Sequence, residues 1–549
     1  MDLREQLSQA ERLHRSGQVG QAEGVYRQVL AVEPENAAAL HGLGVMALQR
    51  GQAAEGLGFL QRAVGAGTDK PSYYLNLGVA LHSLGRIGQA AEAFASAIRL
   101  NPKYGAAFNN LAQAACDQGD IRAAVAWHDR SAELNPGDAV AASNRLLALH
   151  YHPDFDAAAL FREHVAWDRR FGHPASAMPR RQPARGRPLR VGYVSADFRR
   201  HSVGYFFAPL WDQHEGSGIE AYCYSCVQKA DEMTAWMRKG KDRWRDVAAM
   251  PHLALAELVR KDEIDILVDL AGHTAGNRLP MFALRPAAIQ VTYLGYPNTT
   301  GIKEIDYRLT DGLADPPGAA DELHVEKLWR LPGCAWCYEA PEDSPEVRAR
   351  GDGPVTFGCF NTLAKINDRL LELWAEILIG VPGSRLLLKS AGVAQPFIQK
   401  RMREVFASRG VDGERIEMMK HVLGVREHLE LYGRVDVALD TFPYHGTMTT
   451  CEALWMGTPV VSLIGRAHVS RVGLSLLTQV GLADLAADGP EEYVRIAREL
   501  AGDFERMAEI RSGLRGRMKS SALMDAKQFA MDVEKAYREM WRRWCAGGV

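Results

Sequence analysis

Asp440–Val461 reads DTFPYHGTMTTCEALWMGTPVV, and the reading of this stretch decides the fold of the second half of the chain. An apolar run ending at Asp440 gives way to a turn, and the turn crowds His445, Gly446, Thr447, Thr449 and Thr450 in front of the helix-like CEALWM. One Ser or Thr suffices to cap a free N–H at a helix start. A cluster there points to a second user of the same donors, and the positive end of a helix dipole favours an anion. Gly446 permits close backbone approach, the three threonines add hydroxyl donors, and Glu452, one turn in, is placed to accept from ribose hydroxyls.

Working outward, this strand–turn–helix unit belongs to a repeating pattern. VTFGCFN, SRLLLKS, RIEMM, VDVALDTFP and PVVSL read as strands, separated by helical runs such as RLLELWAEILIGVP. An earlier set (LRVGYVSADF, EAYCYSCV, DILVDLAGHT, AIQVTYLGY, YRLTD) has the same alternation, with HLALAELVRKDEI as a helix. Alternating strands and helices predict parallel, doubly wound sheets. Two such sheets create a cleft at the carboxyl ends of their strands, where nucleotides bind. A GxxxxGK[ST] loop is absent, as is a GxGxxG followed by an acidic ribose anchor, which disfavours a kinase, an ATPase or an NAD-dependent dehydrogenase.

Several polar residues fall at predicted strand ends. Lys365, in FNTLAKIN, supplies an ammonium suited to a leaving diphosphate, with Asn361 and Thr362 completing a polar rim. His201 and His273 follow strands of the first half and are expected to open onto the cleft from the other side, as a general base or as an orienter of an acceptor hydroxyl. His428 is placed to stack on or bond a base or ribose, and Leu423 to lend backbone groups. The tail DAKQFAMDVEKAYREMWRRW reads as a long amphipathic helix that braces the two halves.

The first quarter follows another rule. Gly17, Gly51, Gly85 and Gly119 recur every 34 residues, in phase with Gly44, Gly78 and Ala112 and with Ala22, Ala90 and Ala124. Tyr26, Leu60 and Phe94 fill a large apolar position, and Pro34, Pro102 and Pro136 close repeats. This is a tetratricopeptide array: helix pairs that bury their apolar faces only against neighbours and stack into an α-solenoid with a concave groove. The groove predicts a polypeptide partner, with Asn76, Asn109, Asn110 and Asn144 as candidate backbone clamps. Such arrays serve otherwise as spacers or homodimerisation arms.

The totals are those of an ordinary globular chain. Of 549 residues, 47% are hydrophobic and 24% charged, and the net charge of −2 favours neither nucleic acid nor an anionic membrane. No run is long enough for a membrane span, the N-terminus lacks a signal peptide's apolar core, and eight cysteines are few, so a cytoplasmic protein with reduced thiols is expected. The pairs Cys223/Cys226 and Cys334/Cys337 sit in extended, aromatic contexts, and no metal site is expected of them.

HSVGYF, GHTAGNR, FALRP, LGYPNTTG, FNTLAKI, SRVGLSLL and the opening stretch together resemble the protein O-GlcNAc transferase and SPINDLY family, over essentially the whole chain. The resemblance implies a GT-B architecture of two Rossmann-like domains and inverting, metal-independent transfer of a sugar from a nucleotide to Ser or Thr of proteins, with no cofactor beyond the donor. It implies that Lys365 binds the diphosphate, that His201 lines the acceptor side, that Thr447, Thr449 and Thr450 bind phosphate, and that Glu452 holds the ribose. TMTT stands where the O-GlcNAc transferases carry HTTG, a basic residue near Val425 is missing, and HSVGYF, PNTTG and DTFPYHG are nearer the SPINDLY branch, whose plant members use GDP-fucose. UDP-GlcNAc is the favoured donor and GDP-fucose the alternative; a repeat scaffold with an inactive transferase half is the reading from another class. The expected organisation is repeats over 1–138, degenerate capping helices and a linker (PRRQPARGRP) over 139–178 and beyond, catalytic lobes over 187–345 and 352–523, and a bracing helix over 524–549.

Overall fold

The computed structural model describes residues 2–67, 69–172, 187–214, 218–240 and 242–547. The chain forms two compact units, Met1–Arg145 and Leu146–Val549, and the division falls inside the helix Ala139–Leu149. The predicted linker at Pro179–Pro188 lies, up to residue 186, outside the described residues.

The first unit is built of antiparallel helix pairs, beginning with Leu3–Arg15 and Val19–Val32 and continuing through Gly105–Asp117 and Ile121–Leu134. Gly17, Gly51, Gly85 and Gly119 all sit at positive φ, between 71° and 79°, which a residue with a Cβ adopts only at a cost. The in-phase small residues are required by contact: a Cβ on Gly78 would lie 2.4 Å from the ring of Phe94, and one on Gly44 would lie 2.6 Å from Leu60. The large apolar position of one helix thus fills the notch left by glycine on its neighbour. The expected asparagine ladder is present but engaged within the array. Asn144 donates to Asn109 at 3.3 Å, and Asn76 pairs with His41 at 2.8 Å.

The second unit begins with the end of that divided helix and with the helix Ala157–Phe171, and continues into two parallel sheets. The first lobe contains β1 (Leu189–Ser195), β2 (Ile219–Ser225), β3 (Trp244–Asp246), β4 (Ile266–Asp269), β5 (Ile289–Thr292), β6 (Tyr307–Asp311) and β7 (Lys327–Leu331), in the order β3-β2-β1-β4-β5-β6-β7. The second contains β8 (Thr356–Cys359), β9 (Arg385–Lys389), β10 (Ile416–Met419), β11 (Val437–Leu439), β12 (Val460–Leu463) and β13 (Ala486–Ala487), in the order β10-β9-β8-β11-β12-β13. Sequence patterning missed β3, β7 and β13, which are short or lie at or near sheet edges, where strands need no long apolar run. The central strands β4, β5, β11 and β12 are buried at every position, as parallel strands covered by helices on both faces must be. Both sheets reverse direction beside their first strand, so β1/β4 and β8/β11 mark equivalent crevices.

The tail helix Ala526–Cys545 follows the second lobe yet packs on the first. Phe529, Val533, Tyr537 and Met540 join a core with Val191, Phe207, Trp211 and Ile289. Each large apolar side chain buried in this way contributes about 1.5–3 kcal/mol, so the helix fastens the chain's end across both lobes. Among the described residues no helix is long and apolar enough to cross a membrane, all eight cysteines are free, and no group of three or more His, Cys, Asp or Glu is placed to hold a metal ion.

Candidate active site

The site is built on the β11 turn. Asp440, just past the strand, is buried and accepts from the amides of Thr441 (2.9 Å) and Gly446 (2.8 Å) and from the hydroxyl of Ser462 (2.8 Å). These bonds fold the loop back on itself through the cis Phe442–Pro443 bond and deliver Thr447 as the cap of the helix Met448–Trp455. Thr447 makes no side-chain capping bond, and the amides of Met448, Thr449 and Thr450 have no protein acceptor among the described residues. The helix therefore begins with its donors unspent, which is the arrangement anions bind.

Lys365 closes the short 3₁₀ turn Leu363–Lys365 after β8 and reaches this loop. Its Nζ donates to the carbonyl of His445 at 2.7 Å and stands 4.2 Å from the ring centroid of Tyr444. Tyr444 in turn stacks on Tyr151 at 5.0 Å. Burial pulls the Lys365 ammonium down to about 8, against the pull of Asp440, so it remains mostly charged at neutral pH. Asn361 accepts from the Thr449 hydroxyl at 2.9 Å and fixes it in the rim. Lys365, Asn361, Thr362, Thr447 and Thr449 line one side of a cavity of about 720 Å³. Its other side is formed by Asp197, Arg199, His201 and Gly276 of the first lobe.

His201 caps the helix Ser202–Gln213, with Nδ1 accepting from the Val203 amide at 3.3 Å, and the Asp197 carboxylate lies 3.6 Å from the same nitrogen. Burial lowers its pKa, so the ring is neutral at pH 7, and the accepting Nδ1 leaves the ring proton on Nε2. Glu452 lies one turn into the threonine helix and accepts from His428 Nε2 at 2.9 Å and from the Tyr432 hydroxyl at 3.4 Å. The Leu423 side chain is 94% exposed and makes no packing contribution to the rim.

Two histidines and one threonine depart from expectation. His273 does not open onto the cleft: it is fully buried, its Nε2 bonds the Thr300 carbonyl at 2.8 Å, and it packs edge-on against Trp167 at 4.9 Å. Its pKa falls to about 3 through burial, so it is a neutral packing residue. His445 is likewise internal, with Nε2 on the Leu463 carbonyl and Nδ1 accepting from the Gly473 amide. Only its backbone carbonyl serves the site. Thr450 is buried and returns its hydroxyl to the Gly446 carbonyl at 3.1 Å, which leaves Thr447 and Thr449 as the hydroxyls on the cavity. The places of Asp440 and Tyr444 in the site were missed; for Asp440, a polar residue closing an apolar strand, as in VDVALD, was the available signal.

Two nucleotide-type lobes, a cleft between their carboxyl edges and a lysine facing a donor-rich helix start define a two-domain glycosyltransferase architecture. The profile of Glycosyl transferase family 41 matches residues 160–337 and 347–533, and a tetratricopeptide repeat profile matches 7–71 and 75–139. The chain belongs to glycosyl transferase family 41. It is 42% identical over 432 residues to the probable UDP-N-acetylglucosamine–peptide N-acetylglucosaminyltransferase SPINDLY of Oryza sativa subsp. japonica, covering 77% of this chain and 46% of that one. It is 26% identical over 482 residues to the UDP-N-acetylglucosamine–peptide N-acetylglucosaminyltransferase of Caenorhabditis elegans, covering 66% and 41%. The chain thus spans about half the length of the curated relatives it matches. A lysine-to-methionine mutant of Thermobaculum terrenum O-GlcNAc transferase superposes with a TM-score of 0.84 at 36% identity, over 99% of this chain and 98% of that one.

Proposed function

We propose that this chain transfers a sugar from a nucleoside diphosphate sugar to Ser or Thr hydroxyls of polypeptides, with N-acetylglucosamine from UDP-GlcNAc as the leading donor. The observation that carries this reading is the unspent helix start at Thr447–Thr450 beside the half-buried Lys365, on one wall of the cleft cavity. Charge that develops on the departing diphosphate is met by preorganised donors in a partly desolvated site, the largest source of stabilisation available to such a reaction. His201 presents Nε2–H, which suits it to orient the acceptor hydroxyl rather than to take its proton. The repeat array supplies the polypeptide acceptor. Neutralisation by Lys365 and the helix start leaves no step that requires a divalent ion, and transfer is expected to persist in EDTA.

GDP-fucose is the second reading, and what supports it is the resemblance of HSVGYF, PNTTG and DTFPYHG to the SPINDLY branch. Incubation with UDP-GlcNAc and with GDP-fucose separately, with peptide libraries and mass spectrometry, distinguishes the two by the mass added. Lys365→Met is expected to reduce transfer at least about a hundredfold while circular dichroism stays unchanged. Wild-type turnover from this variant would remove the assignment.

A further inference from the structure

Lys389 ends β9 and is only 3% exposed, yet no carboxylate ion-pairs with it among the described residues. Its Nζ donates to His428 Nδ1 at 2.5 Å and lies 5.1 Å from the centroid of Phe360, a ring that lines the cleft. Burying an ammonium for one imidazole contact is costly unless the contact serves a further purpose.

The bond has a directional consequence. A ring nitrogen that accepts from an ammonium carries no proton, so the proton of His428 sits on Nε2 and is donated to Glu452 Oε2. The Tyr432 hydroxyl lies 3.4 Å from the same oxygen and 3.1 Å from the Thr449 carbonyl. Glu452 Oε1 is left without a protein donor among the described residues, one turn beyond the helix start that faces Lys365. Without the ammonium the ring can carry its proton on Nδ1 instead, and an unprotonated Nε2 would face the carboxylate at 2.9 Å.

We propose that Lys389 is a positioning residue for the nucleoside half of the donor: through His428 it fixes the carboxylate of Glu452 to accept from the sugar hydroxyls of a nucleoside diphosphate. The inference rests on the proposed donor class. It assigns the half-buried Lys365 and the buried Lys389 different parts of one ligand, Lys365 the diphosphate and Lys389, at one remove, the nucleoside.

The test uses the full chain with UDP, GDP and inorganic pyrophosphate as calorimetric probes. Lys389→Met is expected to weaken the nucleoside diphosphate bound by the wild type about tenfold and to leave pyrophosphate affinity unchanged. Lys389→Arg, which keeps a donor, is expected to restore most of the loss. In a His428→Phe background Lys389→Met should add nothing further.

A pH series provides the readout that a purely structural lysine would not move. Burial holds Lys389 at about 8 against the pull of Glu452, and the titratable groups around the relay are His421, His428, Glu452, Tyr432, Tyr205 and Tyr338. Nucleoside diphosphate affinity, taken relative to pyrophosphate, should fall as pH rises through about 8 in the wild type and stay flat in Lys389→Arg. Equal losses for nucleotide and pyrophosphate in Lys389→Met, or no loss for either, would overturn the relay alone. Failure of the wild type to bind any of the three probes would overturn the donor reading and this inference with it.

Discussion

The loops after β4 and β11 begin alike. At the carboxyl end of β4, Asp269 accepts from the amides of Ala271 (3.1 Å) and Gly272 (2.9 Å) and from the Thr292 hydroxyl (2.9 Å). Past β11, Asp440 accepts from the amides of Thr441 and Gly446 and from the Ser462 hydroxyl. Each loop then turns a histidine, His273 or His445, into the core. They part only afterwards. The β4 loop ends in the short helix Leu279–Phe282, while the β11 loop ends in a helix whose first amides are unspent and face a lysine. A strand-end carboxylate and a buried histidine are thus the means of shaping the loop in both lobes; of the two loops, only the second leads to a helix start with unspent amides.

The harshest way to break this contrast is to remove each carboxylate. Asp440→Asn places an amide N–H₂ against donors that need an acceptor, and it withdraws the negative charge beside Lys365. Transfer is expected to fall about a thousandfold, or about 4 kcal/mol in the barrier, with stability down by about 2–3 kcal/mol in urea unfolding. Asp269→Asn should cost comparable stability and leave transfer within a few-fold. Equal losses of transfer in the two variants would dissolve the distinction between the loops.

The next effect is confined to the β4 side. Burial raises the Asp269 pKa to about 6, against its hydrogen bonds to Thr292 and to the amides of Ala271 and Gly272. A group raised in the folded state binds its proton more tightly there than in the unfolded chain. Its contribution is therefore fully present below the unfolded value near 4 and is lost as pH rises through about 6. The wild type should lose up to about 3 kcal/mol relative to Asp269→Asn between pH 4 and pH 7, read from urea midpoints at each pH. A flat difference would show that the carboxyl carries no such burden.

The same contrast explains what the sequence could disclose. The 34-residue period and the alternation of strands with helices are properties of backbone packing, written in glycine, alanine and apolar spacing, so Gly17, Gly78 and the β4 and β11 runs were legible. The direction of a side chain leaving a strand end is set by the loop's hydrogen bonds, which no local pattern records. His201 and His273 follow strands in the same lobe, yet one lines the cavity and the other is buried against Trp167. Lys389 went unseen because its role depends on His428, 39 positions away in the chain.

The finest separation of the two loops comes from their glycines. Gly272 has φ 52°, and a Cβ there would stand 2.2 Å from Tyr296 Cβ, in packed core. Gly272→Ala is expected to lower stability by about 1–3 kcal/mol with donor affinity intact in the folded fraction. Gly446 meets different neighbours: an added Cβ would come within 2.4 Å of Thr449 Oγ1, 2.9 Å of Thr450 Oγ1 and 3.2 Å of Asn361 Nδ2. The nearest of these, Thr449, and Asn361 line the cavity and can yield toward it, while Thr450 is buried with its hydroxyl on the Gly446 carbonyl. Yielding moves the Thr449 hydroxyl off Asn361, and it thickens the loop where a phosphate would approach the helix start. Gly446→Ala should therefore weaken nucleoside diphosphate binding about tenfold, or about 1.4 kcal/mol, with the melting temperature unchanged. Calorimetric titration of both variants reads the two outcomes side by side. Loss of melting temperature in Gly446→Ala without loss of affinity would place that glycine, like Gly272, in service of packing alone.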